Sequence, residues 1–337
     1  MKLYSFNADK EDKGECNKMK KKIMAVLLAA TMLTTLGACG ASDDSTYKVG
    51  ICQLVQHDAL DAATKGFKDA LIEELGEENV KFDEQNAQGD SNTCATIING
   101  FTNSGVDLIL ANATPALQAA AAGTDTIPIL GTSITEYGVA LDIDNFDGTV
   151  GKNISGTSDL APLDGQADMI KELFPDKKSV GLLYCSAEAN SQYQVDTVQT
   201  YLEKLGYTCK QYAFSDSNDL SAVATTAVDE SEVIYVPTDN TVANNTELLN
   251  NIAMEKKVPV VAGEEGICKG CGVATLSISY YDLGTATGKM AAKILKGESK
   301  IEEMPIEYAP NFVKKYNKSI CEQLGVEIPE GYEAIEE

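Results

Sequence analysis

The chain is built twice over. When its two halves are overlaid at an offset of about 130 residues, Lys48-Val49-Gly50-Ile51 answers to Ser179-Val180-Gly181-Leu182, each a short buried-strand pattern. A polar loop and an amphipathic helix follow in both halves, predicted over His57 to Leu75 and Asn190 to Leu205. Gly76 and Gly206 stop these helices, since glycine tolerates the left-handed conformation past a helix end. A second strand comes next, Val80 to Phe82 in one half and Thr208 to Tyr212 in the other, then a second helix. Third strands, Asp107-Leu108-Ile109-Leu110 and Glu232-Val233-Ile234-Tyr235, lead into turns with Pro115 and Pro237. Ile127-Pro128-Ile129-Leu130 and Val258-Pro259-Val260-Val261 complete the match as fourth strands.

Continuously apolar strands alternating with helices read as βαβ units around parallel sheets covered on both faces. The expected fold class is therefore α/β, with two similar Rossmann-like lobes. In open parallel sheets ligands sit beyond the carboxyl ends of the strands, so two lobes facing one another across those loops enclose a cleft. Such clefts close by hinge motion. The expected boundaries are 47–157 plus 280–302 for the first lobe, 158–279 plus 303–325 for the second, and 326–337 for a tail. Several chain crossings between lobes favour two states, open and closed.

The residues before this fold read as a targeting segment. Met19 is followed by Lys20, Lys21 and Lys22, an apolar run from Ile23 to Leu36, and Gly37-Ala38-Cys39, the three regions of a signal peptide. The run is shorter than the roughly 20 apolar residues of a membrane-spanning helix. Leu36-Gly37-Ala38-Cys39 resembles a bacterial lipobox, which implies acylation of Cys39; the bland alternative is an ordinary signal peptide with a chance cysteine. Residues 1–38 are thus an upstream extension and lipoprotein signal peptide, with Met19 the better start, and 39–46 a tether.

The charge is strongly acidic. Seven lysines against four acidic residues up to Ala38 leave the remainder near −27, from −24 for the whole chain. That argues against nucleic acid and an anionic membrane surface as partners. Of nine cysteines, Cys16 and Cys39 fall in or at the edge of the removed segment, and the other seven lack the dense spacing of a disulfide scaffold. Cys268-Lys-Gly-Cys271 supplies two ligands with no second pair, so it reads as a local disulfide or two free thiols, not a metal site. His57 is the only histidine, which nearly excludes histidine triads and multi-imidazole zinc sites. No nucleotide-binding, hydrolase-elbow or metalloprotease motif is present, so no enzyme and no cofactor is expected.

Several stretches together resemble the ABC-transporter substrate-binding proteins of the type I periplasmic-binding fold, in the subgroup that includes tryptophan- and tyrosine-binding lipoproteins. They are Gln53-Leu54-Val55-Gln56-His57-Asp58-Ala59-Leu60-Asp61, Asn112-Ala113-Thr114-Pro115-Ala116, Ser186-Ala187-Glu188-Ala189-Asn190-Ser191 and Val236-Pro237-Thr238-Asp239-Asn240-Thr241-Val242. Tyr280-Tyr281-Asp282-Leu283-Gly284 and Ile294-Leu295-Lys296-Gly297-Glu298 extend the match over nearly the whole mature chain. The CxxC departs from that pattern.

The candidate ligand-binding residues are Gln53, His57, Thr114, Thr132, Glu188, Asn190, Ser191, Asp239, Asn240 and Glu264. Thr114 before Pro115 reads as a helix cap whose free N–H groups would take a ligand carboxylate, or as a cap alone. Asn190 and Ser191 offer an amide and a hydroxyl at the matching helix start, where they also suit plain capping. Asp239, at the carboxyl end of an apolar strand, would pair with a ligand ammonium, or else form an Asx turn. The aromatic candidates are Tyr137, Tyr184, Tyr193 and Tyr280.

The resemblance implies an extracytoplasmic, membrane-anchored, monomeric protein that binds an aromatic amino acid by hinge closure and passes it to ABC permease subunits. The alternatives are a branched-chain amino acid, a nucleoside or a sugar in the same cleft, or an extracellular sensor.

Overall fold

The computed structural model describes residues 46–336. The signal peptide and Cys39, with the tether as far as Ser45, lie outside the described residues. Among those described, no helix is long and apolar enough to cross a membrane.

The chain runs through β1 (Tyr47–Gln53), α1 (Asp58–Leu75), β2 (Val80–Asn86), α2 (Ser91–Ser104), β3 (Leu108–Asn112), α3 (Thr114–Gly123), β4 (Ile129–Ile134), α4 (Tyr137–Ala140) and β5 (Ile154–Ser158). It then crosses to a second lobe of α5 (Leu163–Leu173), β6 (Ser179–Cys185), α6 (Ala189–Lys204), β7 (Thr208–Phe214), α7 (Ser217–Glu230), β8 (Val233–Val236), α8 (Asn240–Ala243), α9 (Thr246–Lys256), β9 (Val260–Ala262), α10 (Glu265–Cys271) and β10 (Ala274–Ser277). A second crossing brings α11 (Tyr280–Leu295) and β11 (Glu307–Tyr308) back to the first lobe. A third delivers β12 (Val313–Tyr316), α12 (Lys318–Leu324) and β13 (Glu333–Ala334) to the second.

The repeat is realised strand for strand. The first sheet has the order β11-β5-β4-β3-β1-β2 and is parallel throughout; the second has β13-β12-β10-β9-β8-β6-β7, with only the β10–β12 pair antiparallel. Stripped of their late strands, both sheets share one order, in which the chain reverses direction beside the first strand of each half, the position where parallel sheets open a crevice. Gly50 and Gly181 occupy equivalent places in β1 and β6. A Cβ at Gly50 would lie 2.7 Å from the Phe101 ring, and one at Gly181 2.5 Å from Ser231 Oγ.

Two boundaries differ from those expected. Glu307–Tyr308, assigned by sequence to the second lobe, pairs with β5 and covers the edge of the first sheet. The tail is part of the second sheet, because Lys315 and Tyr316 pair with Glu333 and Ala334. Both are two-residue strands, too short to carry a period.

Helices α1 and α11 lie along one another on the first lobe. Glycine makes this approach possible: a Cβ at Gly284 would stand 2.0 Å from the Ala63 carbonyl oxygen, one at Gly66 2.1 Å from that of Tyr281, and one at Gly288 2.5 Å from that of Phe67. Around them Phe67, Leu71, Met290 and Ala291 join Val49, Ile51, Leu108 and Leu110 in a common core.

Candidate functional site

Between the lobes lies a small cavity of about 10 Å³, room for about one water molecule. Its wall is drawn from strand ends of both lobes: His57, Ser133 and Thr135 from the first, Asn190, Thr238, Asp239, Asn240 and Glu264 from the second, and Asp159 and Tyr280 from the crossings. No lysine lines it. The lobes touch across it, through a 3.2 Å contact between His57 Nε2 and Asn240 Oδ1.

The hydrogen bonds fix which atom faces which. Asn240 Nδ2 donates to Glu188 Oε2 at 2.7 Å, so its Oδ1 faces His57 and accepts from Nε2–H. Burial holds the imidazole below its ordinary pKa and neutral, which leaves Nδ1 an acceptor. Asn190 Nδ2 donates to the Thr238 carbonyl at 2.9 Å, so the amide oxygen is the atom left over.

Eight buried side-chain polar atoms among the described residues have no partner, and four belong to residues lining this cavity: His57 Nδ1, Ser133 Oγ, Asp159 Oδ1 and Asn190 Oδ1. Three of the four are acceptors. Buried polar atoms are nearly always satisfied, because an unmet one costs about 1–3 kcal/mol. Their concentration at one cavity leaves it with acceptors in search of hydrogen-bond donors. Ser133 also holds a positive φ of 56°, a strained conformation for a side chain of its kind.

Three buried carboxyl groups share the wall. Burial pushes the Asp239 carboxyl up to about 7, with the nearby Glu188 charge adding to the effect. Burial likewise pushes Glu264 up to about 7 and raises Asp159. For an acid whose folded pKa exceeds its unfolded value, the unfolded chain loses its proton first. Stability is then lost as pH rises between the two values. The empty protein is therefore expected to melt at a higher temperature at pH 5 than at pH 8. A melting temperature flat or rising over that interval would remove these groups as buried acids.

The structure brings together some of the sequence candidates and parts others. His57, Asn190, Asp239, Asn240 and Glu264 line the cavity. Asp239 and Glu264 are also helix caps: Asp239 accepts from Val242 N at 2.9 Å and Cys185 N at 2.7 Å, and Glu264 from Gly266 N at 2.6 Å and from Ile267 N. Glu188 stands behind the wall, gripping the start of α8 through Asn240 N at 3.0 Å and Thr241 N at 2.9 Å. Ser191 is fully buried beside Asn190 and Asp239.

Gln53 turns away from the cavity. Its amide donates to Asp61 Oδ1 at 2.6 Å and accepts from Thr64 Oγ1 at 2.6 Å within its own lobe. Thr132 is buried under Thr157. Thr114, expected as the cap of α3, is its first helical residue; Ala113, at φ 86°, occupies the cap position, and neither lines the cavity. Of the four tyrosines only Tyr280 reaches it. Tyr137 is core, Tyr184 bonds Gln192 and Gln211 on the second lobe, and Tyr193 is half-buried outside the cavity wall. Cys268 and Cys271 are two free, buried thiols on α10.

Sequence reasoning missed Asp159, Ser133, Thr135 and Thr238. Asp159 had a usable signal, since it follows β5 as Asp239 follows β8. The signal was hidden because Ser155, Gly156, Thr157 and Ser158 make β5 look unlike a buried strand.

A family model described as ABC transporter substrate binding protein matches residues 48–334. A tyrosine-binding protein of Clostridioides difficile (strain R20291) is 34% identical over 306 residues, 85% of this chain and 87% of that one. Among solved structures, an ABC domain in complex with L-Trp from Streptococcus pneumonia superposes with a TM-score of 0.82 at 34% identity, covering 86% of this chain and 100% of its own. The ligand-free, open structure of a substrate binding protein with adhesive properties from Clostridium difficile gives 0.66 at 37% identity, covering 86% and 99%.

Proposed function

This chain belongs to the ABC transporter substrate-binding protein family, and from that premise we propose that it binds an aromatic amino acid, tyrosine or tryptophan, in the interlobe cavity and delivers it to an ABC importer. On this reading the protein works outside the cytoplasmic membrane, held there through acylated Cys39, and performs no catalytic step. The observation that carries the ligand class is the wall of the cavity: partnerless acceptors on Asp159, Asn190 and His57, with buried carboxyl groups and no lysine. An ammonium group brings three donors and a positive charge to such a place.

Hinge closure is supported by the contact between His57 and Asn240, which joins opposite lobes. The superpositions point the same way: the L-Trp complex fits better than the open, ligand-free relative, although the latter has the higher identity. Two lobes of conserved internal shape but altered mutual angle give that result. A ligand that bridges the lobes selects the closed form, and a permease that recognises the closed form then distinguishes loaded from empty protein.

A thermal-shift screen against the twenty amino acids, simple sugars and nucleosides tests the proposal. A ligand at a hundred times its dissociation constant adds about 2.7 kcal/mol, which for a chain of this size corresponds to a rise of roughly 5–10 °C. Tyrosine or tryptophan is expected to give it. A shift with a sugar or nucleoside and none with any amino acid would overturn the ligand.

A further inference from the structure

We propose that Asp159, in the first crossing between the lobes, is the residue that receives the ligand's ammonium group, so that the cation is read at the hinge and not on either lobe. This rests on the amino-acid reading above. The three carboxyl groups on the cavity wall differ in what they have left to give. Asp239 spends one oxygen on Val242 N and the other on Cys185 N, and Glu264 spends both on the first turn of α10. Asp159 alone keeps an oxygen without a partner, although the residue is only 4% exposed.

Its other oxygen is tied to the second crossing. Tyr280 opens α11 directly after that crossing, and its hydroxyl donates to Asp159 Oδ2 at 2.9 Å. The backbone N–H of Asp159 donates to Ile134 O at 3.1 Å. The carboxylate is thus fixed where two of the three connections meet. The other partnerless oxygens lie to either side, Ser133 Oγ on the first lobe and Asn190 Oδ1 on the second.

The arrangement gives the ammonium a sequence of partners. In an open form it can bind Asp159 before the lobes meet. Ser133, next to the Ile134 that bonds Asp159, is already at hand on the first lobe, and the last N–H group is satisfied only when closure brings Asn190 of the second lobe to the same cavity. Tyr280 is a positioning residue here: it touches the carboxylate, and by donating to it favours the charged form. The other titratable groups on the wall are His57, Asp239 and Glu264.

Calorimetric titration of the purified protein with L-tyrosine and with 3-(4-hydroxyphenyl)propionate, which lacks the ammonium, tests this at each of several pH values. The wild type is expected to prefer L-tyrosine strongly. Asp159→Asn is expected to lose at least a hundredfold in affinity for L-tyrosine and less than fivefold for the analogue. Tyr280→Phe is expected to move upward the pH below which L-tyrosine affinity falls, a shift that a purely structural loss would not cause; it serves as the independent reading if Asp159→Asn does not fold. Asp159→Asn retaining the preference, or Tyr280→Phe leaving the pH break in place, overturns the assignment. A wild type that binds neither compound, nor any other amino acid, instead overturns the ligand class on which it rests.

Discussion

Gly284→Leu is expected to abolish folding of the first lobe, and Gly284→Ala to lower the melting temperature by 6 °C or more. The reason is the distance between α1 and α11. A Cβ at Gly284 would sit 2.0 Å from the Ala63 carbonyl oxygen and 2.7 Å from its carbon, well inside contact distance, and both atoms are helix backbone that cannot rotate away. Gly66 faces the Tyr281 carbonyl in the reciprocal way. The helices would have to separate, opening the core they share with β1 and β3. Overpacking a tight interior typically costs about 1–3 kcal/mol and more where backbone must move, and each kcal/mol moves a chain of this size by about 2–4 °C. Gly100→Ala is the matched control: that glycine lies on the exposed side of α2 with nothing within 4 Å of its would-be Cβ. Removing its helix-interior flexibility is expected to raise stability by up to about 1 kcal/mol. Calorimetric melting of the variants decides the matter, and a Gly284→Ala protein that melts with the wild type would refute the close approach of the helices.

Asp239→Ala is expected to destabilise the empty protein by about 2–4 kcal/mol, adding a lost helix cap to a stranded buried N–H. An aspartate that served only a ligand would leave the empty protein unaffected when removed. The structure shows why Asp239 differs: its carboxyl oxygens hold Val242 N and Cys185 N in an interior from which water is excluded. Urea unfolding of the empty protein is the measurement. An unchanged midpoint would return Asp239 to a ligand-only role.

The two-lobed fold was legible because its strands are apolar runs between helices, and because the same order occurs twice. Loops following those strands were legible as the cleft for the same reason. Individual side chains were less so. Gln53 ends a strand on the first lobe, as a cleft residue should, yet successive strand residues point to opposite faces, and its amide settles on Asp61 and Thr64. Ser133 reaches the cavity by a left-handed backbone turn that its neighbours in sequence do not announce. Asp159 follows a strand of small and polar residues, where no hydrophobic pattern marks an end. The short strand β11 takes its place through a partner far back in the chain, and β13 through β12 on the other side of one helix.

The way the chain shuttles between lobes also sets an order on its synthesis. Domains fold as units while a chain emerges from its amino end. Here the first lobe lacks α11 until residue 295 has emerged and its edge strand until Tyr308, while the second sheet is finished only at Ala334. Neither lobe can close its core early, so almost the entire polypeptide must be present before either half is expected to resist proteolysis.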